Sequence, residues 1–123
     1  MESAEVRVLI VDDQKPFREA ARLVVDLTDG FTVVGEAEDG EASVELAREL
    51  RPDLVLMDVN LPGIDGLEAT RRILAQRDGA QVVVLSTYEP REYAPRAAAA
   101  GALAYIPKSS LDPDSLEAAW ESA

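Results

Sequence analysis

Residues 54 to 58 read Leu54-Val55-Leu56-Met57-Asp58, four apolar residues in a row and then a carboxylate. An unbroken apolar run of that length suits a strand buried on both faces rather than one with a wet face. Four more runs have the same character: Val6 to Val11, Thr32 to Ala37, Val82 to Leu85 and Ala102 to Ile106. Helical spacing fills the gaps between them. Phe17, Ala20, Ala21, Val24 and Leu27 form one stripe, and Ala42, Leu46, Ala47 and Leu50 a second. Leu67, Thr70, Ile73 and Leu74 form a third, while Leu116, Ala119 and Trp120 mark a last helix. Strands alternating with helices predict βαβ crossovers, hence an α/β fold with a parallel sheet covered on both sides.

Punctuation supports these boundaries. Pro16 and Pro113 fall where a first helical turn tolerates proline, and Asp112 is placed to cap the last helix. Asp65 followed by Glu68 resembles a capping box, and Gly30, Gly79 and Gly101 each stand where a helix should stop. The segment from Pro90 to Ala100 is less regular. Because Pro95 removes an amide donor, the sequence predicts a helix beginning near Pro95, or a broken turn followed by Arg96 to Ala100.

Composition narrows the chemistry. The 123 residues fit one domain, and 47 % hydrophobic with 29 % charged residues is ordinary for a globular chain. There is no cysteine and no histidine, which removes thiolate metal sites, disulfides and any Ser-His or Cys-His pair. A net charge of -12 repels phosphate backbones, so this domain alone is not expected to grip nucleic acid. No apolar run approaches the roughly 20 residues of a membrane span, and the acidic start lacks the features of a signal peptide. The expectation is a cytoplasmic address with no membrane partner.

In open parallel sheets, ligands bind outside the carboxyl ends of the strands. The first run ends at Asp12-Asp13, the third at Asp58, the fourth at Ser86-Thr87, and the fifth leads into Lys108, one of two lysines. Each has an ordinary reading. Asp12-Asp13 can open a turn, Asp58 can be a loop carboxylate, Ser86 and Thr87 can be capping hydroxyls, and Lys108 can be a solvated amine. Together they predict a site. Three crowded carboxylates call for a cation, and hard oxygen donors in a partly hydrated site suit Mg²⁺. A carboxylate such as Asp58 can attack phosphorus, with Lys108 and the hydroxyls contacting the phosphoryl oxygens.

The stretches Val8-Leu9-Ile10-Val11-Asp12-Asp13, Leu54 to Asp58 with Leu61-Pro62-Gly63-Ile64-Asp65-Gly66, Val84-Leu85-Ser86-Thr87 and Ala102 to Lys108 resemble, in order, the receiver domain of bacterial response regulators. The resemblance covers nearly the whole chain and implies a flavodoxin-like three-layer sandwich, with five strands in the order 2-1-3-4-5 and five helices. It implies Asp58 as phosphoacceptor. Asp13, Asp58 and the Asn60 backbone carbonyl would hold Mg²⁺, with Asp12 acting through a water. Ser86 becomes the switch hydroxyl, Lys108 its cationic partner, Thr87 a neighbour of the phosphoryl group and Tyr105 the switch aromatic. The competing, weaker reading of Tyr105 is a half-buried strand tyrosine with its hydroxyl in water.

Two departures from the family's pattern stand out. Proline precedes Lys108 as Pro107 instead of following it, and Thr87 stands where the family often has a smaller residue, which narrows access to the phosphoryl group. Tyr88 beside it is bulky enough to shield an acyl phosphate, which predicts slow self-dephosphorylation. The implied partners are a histidine kinase or histidine phosphotransfer protein, with homodimerisation one further expectation. Residues 1–123 would be one phosphoacceptor domain, the front of a helix-turn-helix transcription factor or a freestanding regulator, and not a conventional enzyme. A phosphohydrolase resembling the haloacid dehalogenase group is the rival reading; it wants a second acid where Asn60 stands.

Overall fold

A computed structural model describes residues 5–76, 80–88 and 90–123. Gly79 and the first four residues lie outside these. The elements run β1 (Val6–Val11), α1 (Lys15–Asp26), β2 (Phe31–Ala37), α2 (Gly40–Leu50), β3 (Leu54–Asp58), α3 (Gly66–Gln76), β4 (Gln81–Ser86), α4 (Pro90–Ala99), β5 (Ala104–Pro107) and α5 (Pro113–Glu121). A 3-10 turn, Lys108–Ser110, separates the last two. The strands form one parallel sheet in the order β2-β1-β3-β4-β5. This is the flavodoxin-like order.

Strand alternation divides the core in two. Leu9, Val11, Val55, Met57, Val82 and Val84 face α2, α3 and α4. Val8, Ile10, Leu54, Leu56, Val83 and Leu85 face α1 and α5, where they meet Ala21, Val25, Leu116 and Ala119. Every residue of β3 is buried, as its unbroken apolar run requires for the middle strand of a covered sheet. Each such Leu or Val contributes roughly 1.5–3 kcal/mol on burial.

Local signals act as expected at several boundaries. Asp112 Oδ1 accepts from Ser115 N–H, and Ser115 Oγ accepts from Asp112 N–H, closing a capping box ahead of α5. Asp65 Oδ1 accepts from Glu68 N–H, but the return half is missing because the Glu68 carboxylate holds Arg71 and Arg72 instead. Gly101, at φ 100°, ends α4; Ala102 N–H reaches Ala97 O and Gly101 N–H reaches Ala98 O. Because the Ala102 amide is spent on that cap, β5 begins at Ala104 rather than at Ala102.

Two expectations are corrected. The fourth helix does not wait for Pro95: α4 starts at Pro90 and carries Pro95 inside it. Proline there forfeits one bond to the Arg91 carbonyl, and the apolar contacts of Tyr93, Ala97 and Ala100 with the sheet outweigh that loss. The stripe on α1 is also rotated. Ala20 and Leu27 are exposed, and Arg18, Ala21, Val25 and Thr28 point inward. Arg18 tolerates burial because its Nη1 donates to the Asp12 carbonyl at 2.8 Å and its Nε to Glu36 at 3.1 Å.

Candidate functional site

Four strands deliver their carboxyl ends to one edge of the sheet. Asp12 and Asp13 leave β1, Asp58 closes β3, Ser86 closes β4 and Lys108 follows β5. A cleft of about 150 Å³ opens there, lined by Asp13, Gln14, Asp58, Asn60, Thr87 and Lys108. A larger cleft of about 220 Å³, with Arg48, Arg51, Ile73 and Ala80 on its walls, lies at the opposite edge, and the described residues lining it offer no carboxylate or hydroxyl.

One carboxylate oxygen from each of Asp12, Asp13 and Asp58 lies within 4.8 Å of the others. Asp12 and Asp58 are buried, whereas Asp13 is exposed. Asp12 Oδ1 accepts from Gln14 N–H at 2.8 Å. Its buried Oδ2 is ion-paired with Lys108 Nζ, 2.6 Å away. The same ammonium is 3.6 Å from Asp58 Oδ1, so in this state it sits closer to Asp12.

One ammonium does not balance three carboxylates. Burial, and then the Asp12 charge, push the Asp58 carboxyl up from 3.8 to about 6; Lys108 and the Asn60 backbone N–H pull it back, and Asp13 pushes it further. A hard divalent cation would relieve that load. The donor set fits one: three clustered carboxylates share a single ammonium, and all offer hard oxygen donors.

Gly66 holds the Asp58 backbone. A Cβ there would come within 2.0 Å of the Asp58 carbonyl oxygen, so the first residue of α3 can only be glycine at this approach. Its amide donates to Val59 O at 2.9 Å. The loop between therefore returns tightly onto the strand end.

On the other wall, Ser86 Oγ accepts from Tyr88 N–H at 2.9 Å and is committed to its own loop. Tyr88 connects several parts of the rim. Its hydroxyl accepts from Asn60 Nδ2 at 2.9 Å, its carbonyl accepts from the Tyr105 hydroxyl at 2.6 Å, and its ring stacks on Tyr93 with centroids 4.8 Å apart. The Tyr105 hydroxyl is thus bonded to protein, against the reading that leaves it in water. Arg96 lies over the Tyr93 ring at 4.7 Å.

All the expected site residues therefore share one region, with Tyr105 behind the rim. Gln14, Phe17, Arg18 and Gly66 were not singled out by sequence reasoning. Gly66 stands in the sequence only as the end of the Leu61 to Gly66 stretch, and Phe17 as one member of an apolar stripe.

The fold and this acidic edge define a phosphoacceptor domain, and the sequence model of the response regulator receiver domain matches residues 8–121; the chain belongs to that family. Receivers are phosphorylation-activated switches of two-component signalling. They generally bind Mg²⁺ at such an acidic pocket and take phosphate from histidine kinases. Among relatives, the response regulator GacA of Pseudomonas viridiflava is 45 % identical over 106 residues, 85 % of this chain and 49 % of the relative. The transcriptional regulatory protein DegU of Brevibacillus brevis is 36 % identical over 112 residues, 91 % of this chain and 47 % of the relative. The chain thus spans about half the length of these relatives. Among solved structures, a LuxR-family two-component response regulator from Aurantimonas sp. SI85-9A1 superposes with a TM-score of 0.87 at 37 % identity, covering 97 % of this chain and 84 % of that one.

Proposed function

We propose that Asp58 is the phosphoacceptor, and that phosphorylation there changes the surface formed by α4, β5 and α5. A carboxylate oxygen of Asp58 attacks the phosphorus of a histidine-bound or small-molecule donor. An O–P bond forms, and the bond from phosphorus to the donor's leaving atom breaks with its electron pair going to that atom; a nitrogen leaving group takes up a proton, whereas acetate leaves as the anion. Asp13, Asp58 and the Asn60 backbone carbonyl would hold Mg²⁺, with Asp12 acting through a water; the bound ion supplies positive charge to the transferring oxygens. Lys108 pairs with the new phosphoryl group. Ser86 gives up the Tyr88 amide and donates to a phosphoryl oxygen, and Thr87, on the cleft wall, borders the same group. Because Tyr88 also holds Tyr105, that exchange unsettles the rim from β4 to β5.

The observation that carries this reading is the grouping of Asp12, Asp13 and Asp58 within 4.8 Å, with Lys108 reaching two of them. Incubation with acetyl phosphate or phosphoramidate and Mg²⁺, followed by mass analysis, tests it. The wild type should gain one phosphoryl group and Asp58→Asn none. An unmodified wild type, or modification that survives Asp58→Asn, overturns it.

Residues 1–123 are read as the phosphoacceptor part of a cytoplasmic transcription regulator, fed by a histidine kinase or histidine phosphotransfer protein. The names and greater lengths of the GacA and DegU relatives support that reading. Self-association after phosphorylation belongs to the same proposal. The domain is self-modifying rather than a turnover enzyme, so sustained hydrolysis of a small phosphomonoester would favour the phosphohydrolase reading instead.

A further inference from the structure

We propose that Phe17 is a positioning residue for Lys108, holding its ammonium inside the cleft between Asp12 and Asp58. This rests on the reading that Lys108 contacts the phosphoryl group. Phe17 lies in the first turn of α1, directly after Pro16, and its amide donates to Gln14 O at 3.1 Å. That turn brings the ring under the end of β5. Lys108 Nζ stands 4.4 Å from the ring centroid.

The ammonium then has three described neighbours: Asp12 Oδ2 at 2.6 Å, Asp58 Oδ1 at 3.6 Å and the Phe17 ring. Each does something different. Asp12 holds the resting charge. The ring face attracts a cation through its quadrupole and denies water one side of the ammonium. With only 13 % of its side chain exposed, Lys108 feels both carboxylates with little solvent screening. A lysine stem is long and flexible, and without the wall it can swing into solvent. With the wall in place, reaching a phosphoryl oxygen on Asp58 requires a small rotation away from Asp12.

An aliphatic residue fills the space but lacks the quadrupole, which separates positioning from packing. Phe17→Leu should therefore slow phosphorylation by phosphoramidate, in saturating Mg²⁺, by about three- to tenfold. The loss should fall on the maximal rate rather than on the phosphoramidate concentration for half-saturation. Phe17→Tyr should stay within about twofold of wild type, since it keeps the ring. In a Lys108→Ala background, Phe17→Leu should cause no additional slowing.

Thermal unfolding of each variant identifies any that is not folded. If Leu and Tyr variants slow equally, or if the Phe17→Leu loss persists in full without Lys108, the ring acts only through packing and the proposal is overturned. A Phe17→Leu chain that reacts at the wild-type rate, while Asp58→Asn and Lys108→Ala are impaired, overturns the Phe17 assignment alone. A Lys108→Ala chain reacting at the wild-type rate overturns the underlying reading and the proposal with it.

Discussion

Asp58 carries a carboxyl pushed up to about 6 by burial and by the charge of Asp12. Such a group holds its proton more tightly in the folded chain than in the unfolded one. Folding is therefore favoured as pH falls from 6 toward the ordinary 3.8, and disfavoured as pH rises through the same window. Asp58→Asn removes this charge. In metal-free buffer above pH 6 it should stabilise the protein by roughly 1–3 kcal/mol, with the gain vanishing below 3.8. Urea unfolding across that range checks the sign, and an Asn variant weaker than wild type at neutral pH contradicts it. Tyr88 makes a second prediction at this scale. Its hydroxyl bridges to Asn60 across the cleft mouth, so Tyr88→Ala should shorten the lifetime of phospho-Asp58 several-fold, read from the decay of the phosphorylated mass. An unchanged lifetime would remove Tyr88 as a shield. The bulk of Tyr88 was legible in the sequence; its bond to a residue 28 positions away was not.

Among the elements, α4 departs most from its sequence reading. A proline rule applied to residues 90 to 100 starts the helix too late, since it weighs one lost amide bond without the apolar face that Tyr93, Ala97 and Ala100 press on the sheet. Replacing Pro95 with alanine restores the bond to the Arg91 carbonyl. Pro95→Ala should therefore raise stability by about 1–3 kcal/mol, with slower amide exchange confined to α4. Equal or lower stability would mean that the missing bond costs this helix nothing. The α1 stripe illustrates a different limit. Helical spacing fits a face with Leu27 as well as one with Arg18, and only the Asp12 carbonyl and Glu36 make the charged choice the buried one.

Across the whole molecule, a metal ion held at the acidic edge would couple its binding to stability. A cation that binds the folded cluster and not the dispersed acids of the unfolded chain raises stability, by about 2.7 kcal/mol at a hundredfold excess over its dissociation constant. Adding Mg²⁺ should raise the melting temperature by several degrees in the wild type, and most of that shift should disappear in Asp13→Asn. Calorimetry with and without a chelator checks this, and equal shifts in both proteins would place the bound ion elsewhere.

Apolar periodicity and strand-end chemistry are local properties, so the alternation of elements, the covered parallel sheet and the residues at its carboxyl edge can be read along the chain. Asp12, Asp13, Asp58, Ser86 and Lys108 could be picked out for that reason. That Lys108 stands closer to Asp12 than to Asp58, that Phe17 backs it, and that Gly66 is held against the Asp58 carbonyl emerge only once the chain is folded. These contacts join residues brought together by chain crossings, and no periodicity within one segment encodes the distance across a crossing.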